Sequence, residues 1–140
     1  MYRFKDDLKP IAQKLFDQMV TKIIKQGQPS TIGSPLETQR CALRGVGGTC
    51  CSVGALIKDE LFNPYYNGLN PTSAQVLGMV AASQGVSQDT LAGGWFPNFI
   101  KDCQHVHDDA FRDGDFFVAR VTAGFKDVAL TYNLTMPAVA

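Results

Sequence analysis

The sequence predicts an α+β, mainly helical domain in which about four helices pack around one small β-hairpin. Three observations carry that prediction. Apolar residues recur every three or four positions in several separate segments, and one glycine-rich stretch is flanked by short strand-like runs. The length, 140 residues, suits a single core, so residues 1–140 read as one globular domain.

The first element is an amphipathic helix over about residues 7–26. Phe4, Leu8, Ile11, Leu15, Met19 and Ile23 form its apolar stripe, and Ala12, Phe16, Val20 and Ile24 widen it. Asp7 is the predicted N-cap, Pro10 falls in the first turn where its missing N–H costs nothing, and Gly27 is the stop. Residues 27–39 hold Pro29, Gly33 and Pro35 without a hydrophobic period and read as a loop.

The hairpin is placed at about residues 40–54, where short runs flank Gly45-Val46-Gly47-Gly48. A three-residue loop with Gly47 left-handed sets Cys41 opposite Cys51, and a four-residue loop sets it opposite Ser52. Residues 55–62 continue as a strand end or a short helix, stopped by Asn63-Pro64. Pro71-Thr72-Ser73 then opens a helix that ends near Gly85, and Ser87 caps a short segment broken by Gly93-Gly94. Phe96, Phe99, Ile100, Cys103 and Val106 predict a further helix through His107. The closing helix, about residues 114–132, is capped by Asp113 or Asp115 and buries Phe117, Val121, Phe125, Val128 and Tyr132. The tail beyond Asn133 is expected to fray.

Thirteen basic residues balance thirteen acidic ones, which removes the domain-wide positive excess of a nucleic-acid binder. Charge is nevertheless uneven. Residues 1–26 carry six basic groups against three acids, and residues 102–115 carry five acids against one arginine. No segment is long and apolar enough to span a bilayer, and the N-terminus lacks a secretory pattern. A cytoplasmic setting is therefore expected, with the four cysteines as thiols or metal ligands and not as disulfides.

Three constellations could carry chemistry. Zinc takes thiolate or imidazole ligands in a tetrahedral array, and Cys41 with Cys51, then Cys103 with His107, could supply two pairs. No C-x-x-C pair is present, and buried cysteine also serves as a small hydrophobe, so no cofactor is the first expectation and zinc the alternative. His107-Asp108 could be half of a metal-dependent phosphohydrolase site, but the chain has only two histidines, both in this stretch. Arg44 beside its glycines could clamp an anion, yet the lysine and hydroxyl of a phosphate loop are absent and the turn reading wins.

The stretch Cys-x-x-Arg-Gly-x-x-Gly-x-x-Cys-x-x-Gly-x-Leu-Ile-x-Asp-Glu runs from Cys41 through Arg44, Gly45, Gly48, Cys51, Gly54, Asp59 and Glu60. With the later Gln104-x-x-His107-Asp108, it resembles a family of small uncharacterised phage and prophage proteins. Cys103 stands where that pattern has leucine, which favours a core role for it. Asn67 stands where an acid is expected, and Gly93-Gly94-Trp95 looks like an insertion. The resemblance implies a phage origin and a compact α+β unit. It also implies that Arg44, Asp59, Glu60, His107 and Asp108 converge, as a polar network that ties the fold together.

The expected function is a non-enzymatic phage accessory protein of the host-takeover or anti-defence type, working in the host cytoplasm. It would dock on a host protein through the region of Trp95 and Phe96 or the basic face of the first helix. Neither membrane nor nucleic acid is an expected partner. The alternatives are a small metal-dependent hydrolase using His107, Asp108, Asp59 and Glu60, and a zinc-stabilised binding module.

Overall fold

Among the described residues, five α-helices carry the architecture, with a run of tight turns between the first and the second. The computed structural model describes residues 2–32, 40–110 and 116–139, without the side chains of residues 40 and 41. The helices are α1 (Lys9–Gln26), α2 (Ala74–Gln84), α3 (Gln88–Ala92), α4 (Phe96–Ala110) and α5 (Phe117–Tyr132). None of them is long and apolar enough to cross a membrane. α4 packs against α5, and α1 packs against both. Their stripes meet in an aromatic core, with Phe16 edge-on to Phe125 at 5.9 Å and Phe99 edge-on to Tyr132 at 5.3 Å.

Most helix signals act where their chemistry places them. Ser73 caps α2 by accepting from the Val76 N–H, Ser87 caps α3 from the Thr90 N–H, and Gly27 and Gly85 close α1 and α2 in left-handed geometry. Others differ. α1 starts at Lys9 behind Leu8, which makes no side-chain cap bond, so Asp7 is not its N-cap. α4 runs past His107 to Ala110 and takes Asp108 and Asp109 into the helix. α5 opens behind Phe116, again with no side-chain cap, and Asp113 and Asp115 lie outside the described residues.

The predicted hairpin over residues 40–54 is not formed. The extended pairing joins two-residue segments, β1 (Thr31–Ile32) and β2 (Arg40–Cys41), antiparallel, with Cys41 opposite Thr31. Neither register that set Cys41 against Cys51 or Ser52 is found. Beyond β2 the chain does reverse at the glycines. The Gly45 N–H donates to Thr49 O at 2.9 Å and the Cys51 N–H to Ala42 O at 3.2 Å, around a 3-10 turn at Val46–Gly48. Further 3-10 turns follow at Gly54–Leu56, Asp59–Leu61 and Pro64–Tyr66, in place of a strand or one short helix over 55–62.

The reason is burial on all sides. Ala42, Leu43 and then Cys50 to Gly54 are consecutively buried, so the segment has no solvent face for a two-stranded ribbon. Its backbone groups are satisfied by side-chain amides instead. Gln26 accepts from the Cys50 N–H at 2.8 Å and donates to Cys50 O at 2.9 Å. Asn67 does the same for Arg44, accepting at 3.3 Å and donating at 2.8 Å. Each amide imitates a neighbouring strand. An aspartate at 67 could accept but not donate, which gives the asparagine a physical role.

The tail does not fray. Asn133 turns left-handed, and Thr135 exchanges two hydrogen bonds with the Gln13 side chain on α1, at 2.9 and 2.8 Å. Leu134, Met136 and Val139 pack partly buried against the core.

Candidate functional site

The five polar residues that the motifs single out do not converge on one site. They divide into two structural clusters. Arg44 is a pin: its Nη1 donates to Leu43 O at 3.0 Å and Gly54 O at 2.7 Å, and its Nη2 to Ile57 O. Nε reaches Asp59 Oδ1 at 3.1 Å, and the guanidinium lies 5.1 Å from the centre of the Phe62 ring. This spread of donors ties the turn at 43–44 to the one at 54–57. Glu60 stays exposed on its 3-10 turn.

The second cluster centres on His107, which is fully buried. Its Nε2 accepts the Ser30 N–H at 2.9 Å, which leaves the ring proton on Nδ1, facing Asp108 Oδ1 at 3.1 Å. Gln104 donates to the same Asp108 oxygen at 3.0 Å and accepts from the Val53 N–H at 3.1 Å. Ser30, His107 and Asp108 are thus brought together, in the residue order of a hydrolytic triad. The contact with the imidazole is made by the serine backbone, however, while its hydroxyl donates to Ala42 O at 2.8 Å. Both ring nitrogens are engaged, Nε2 with the Ser30 N–H and Nδ1 with Asp108 on α4 itself, so neither is open to a metal or a substrate. Ser30 and Gln26 were not singled out from sequence, because polar groups that pair with backbone or side chains far along the chain leave no periodic signal.

Three of the four cysteines are core residues. Cys50, Cys51 and Cys103 are buried free thiols, and the side chain of Cys41 lies outside the described part. No group of three histidine, cysteine or acidic residues that could hold a metal occurs among the described residues. Burial pushes the Cys51 thiol from the usual 9.0 up to about 12. Burial also raises Cys103 well above the usual value, and Cys50 as well, the latter opposed by the fields of Arg44 and Lys22. We expect these three thiols to resist iodoacetamide at neutral pH in the native protein and to react after unfolding in guanidinium. Residue-by-residue mass mapping checks it, and rapid native labelling of Cys51 or Cys103 would contradict the burial. In the unfolded chain Cys51 ionises near 9.0, in the folded one only near 12, so its contribution to stability should decline as pH rises through that window.

Of the two aromatic docking candidates, Phe96 is fully buried against Phe4, and its ring belongs to the core. Trp95 is 38% exposed, with Tyr2 stacked on it at a centroid distance of 4.3 Å.

The basic face of α1 borders a cleft of about 790 Å³. Lys14, Gln18 and Lys22 line it at successive four-residue spacings, one face of the helix. Lys58 and Arg44 line it from the turns. Its wall is held by Gln84, which exchanges amide bonds with Gln18 at 3.0 and 2.8 Å, and by Ser83, whose Oγ accepts the Lys58 N–H at 2.9 Å. Four cations therefore face one carboxylate, Asp59, a local excess of three on a chain of zero net charge. Among the described residues Lys14, Lys22 and Lys58 have no ion-pair partner, and the Asp59 side chain that meets Arg44 is 93% exposed. The +3 excess of the N-terminal segment is thus partly gathered into one concave surface.

No protein-family model matches the chain, and neither a curated protein nor a solved structure shows significant similarity to it.

Proposed function

We propose that this is a non-enzymatic binding protein that takes an acidic segment of a protein partner into the cleft between α1, the end of α2 and the 54–59 turns. The observation that carries this reading is the cluster of Lys14, Lys22, Lys58 and Arg44 around one concave surface of a chain whose net charge is zero. The engagement of Arg44 and His107 in backbone bonds favours binding over catalysis. An acidic protein is favoured over nucleic acid because, among the described residues, no aromatic side chain lines the cleft to stack a base. The motif resemblance adds the setting: a phage-encoded accessory protein whose partner belongs to the host.

A fluorescent oligo-glutamate peptide tests the reading directly. Binding should weaken with salt, and Lys14→Glu with Lys22→Glu should lower affinity about ten-fold or more. Asp59→Asn should raise it about two-fold, since it removes the one carboxylate that lines the cleft among the described residues. Tighter binding of a single-stranded oligonucleotide at equal salt, or indifference to the lysine reversals, would overturn it.

A further inference from the structure

We propose that a second pocket, at the junction of α3 and α4, is a binding site for a small aromatic carboxylate. The pocket holds about 410 Å³ and shares no lining residue with the basic cleft. Sites for small organic ligands run from about 300 to 1,000 Å³ and combine apolar walls with a few placed polar groups. Here Phe4, Leu8 and Trp95 supply the apolar surface, and Gly93-Gly94 leave room beside the indole. A positive φ of 56° at Gly94 makes the bend that precedes α4, a conformation that disfavours a side chain there.

The walls are held in place before any ligand arrives. The Tyr2 N–H donates to Thr131 O at 2.7 Å, which straps the N-terminal segment to α5. The Tyr2 ring packs on the Trp95 indole at 4.3 Å, and Phe4 is wedged between Phe96 at 4.7 Å and Phe99 at 5.5 Å. Preorganised aromatic surface loses little entropy on binding, so a flat apolar ligand body is well suited to it.

Charge at the rim selects the polar end of the ligand. Arg3 and Lys5 face one acid, Asp89, and neither cation has an ion-pair partner among the described residues. A carboxylate on an aromatic body would therefore meet an unneutralised cation at the edge while its ring lies against Trp95. A neutral analogue would keep the second contact and lose the first.

Trp95 is the chain's single tryptophan, so its fluorescence reports on this pocket without interference. The protein is titrated with 3-phenylpropionate, with 3-phenylpropionamide as the neutral isostere and hexanoate as the non-aromatic acid. We expect a saturable change in Trp95 emission with 3-phenylpropionate, and about five-fold weaker binding of either control. The exposed double variant Arg3→Gln, Lys5→Gln should bind acid and amide alike. Absence of saturation with 3-phenylpropionate in the millimolar range overturns the proposal. So does equal affinity for acid and amide in the unaltered protein, or a preference for the acid that survives in the double variant.

Discussion

Substituting His107 with alanine is expected to destabilise the fold by about 3 kcal/mol or more, while leaving the cleft's affinity for oligo-glutamate unchanged in the protein that remains folded. The ring is fully buried and edge-on to Phe117 at 5.9 Å, so its removal opens a cavity in the core. It also removes the acceptor of the buried Ser30 N–H and one of the donors to Asp108. An unmet buried donor costs about 1–3 kcal/mol beyond the lost packing. His107→Phe separates the two terms, since it restores volume but not the acceptor, and should recover roughly half of the loss. Urea unfolding followed by circular dichroism measures both variants. A His107→Ala protein as stable as the parent would sink the structural reading of the Gln104–His107–Asp108 set and reopen a chemical one.

Alanine at Gly54 is expected to cost about 3 kcal/mol by a different route. A Cβ there would stand 2.2 Å from Leu43 O and 3.0 Å from Leu43 C, both backbone atoms that no rotamer change can move aside. Arg44 Nη1 donates to Gly54 O at 2.7 Å and to Leu43 O at 3.0 Å, so any shift that relieves the clash also disturbs the arginine pin. Gly47 is the internal control. Its φ is +73° and a Cβ there would meet nothing within 4 Å, so Gly47→Ala carries only the left-handed backbone penalty, about 1–2 kcal/mol. Matched unfolding curves decide the point: Gly54→Ala should be the worse of the pair, and equal losses would mean that Leu43 does not sit against residue 54.

The two results bear on what the cysteine–arginine–glycine motif is for. Gly45 and Gly54 are sites of close backbone approach, Gly47 and Gly48 take left-handed geometry, and Arg44 ties the turns together. These roles are architectural. The functional surfaces proposed here use residues mostly outside the motifs, such as Lys14, Lys22 and Lys58 at the cleft and Trp95, Arg3 and Lys5 at the smaller pocket.

Helix positions were legible because a helix buries one face, and the 3.6-residue period of that face is written in the chain itself. The α1 stripe through Leu15, Met19 and Ile23 and the α5 stripe through Val121, Phe125 and Val128 are examples, as are the serine caps of α2 and α3. The basic face of α1 was legible too, as a local charge excess over residues 1–26. The segment from Ala42 to Ile57 was not. Glycines and short apolar runs suggested a hairpin, because in sequence a buried coil and a ribbon share that composition.

By itself, then, the sequence determined the helical character of the chain, most helix ends and the cations available to α1. All of these depend on neighbours within a turn or two. Only the tertiary structure decided that Gln26, Asn67 and Gln104 replace a strand ladder, and that His107 meets Ser30. It alone set Lys58 beside Lys14 and Lys22 around one cleft. Those pairings join residues from about 20 to nearly 80 positions apart, and what selects them is the burial of polar backbone among packed helices. No local pattern encodes that.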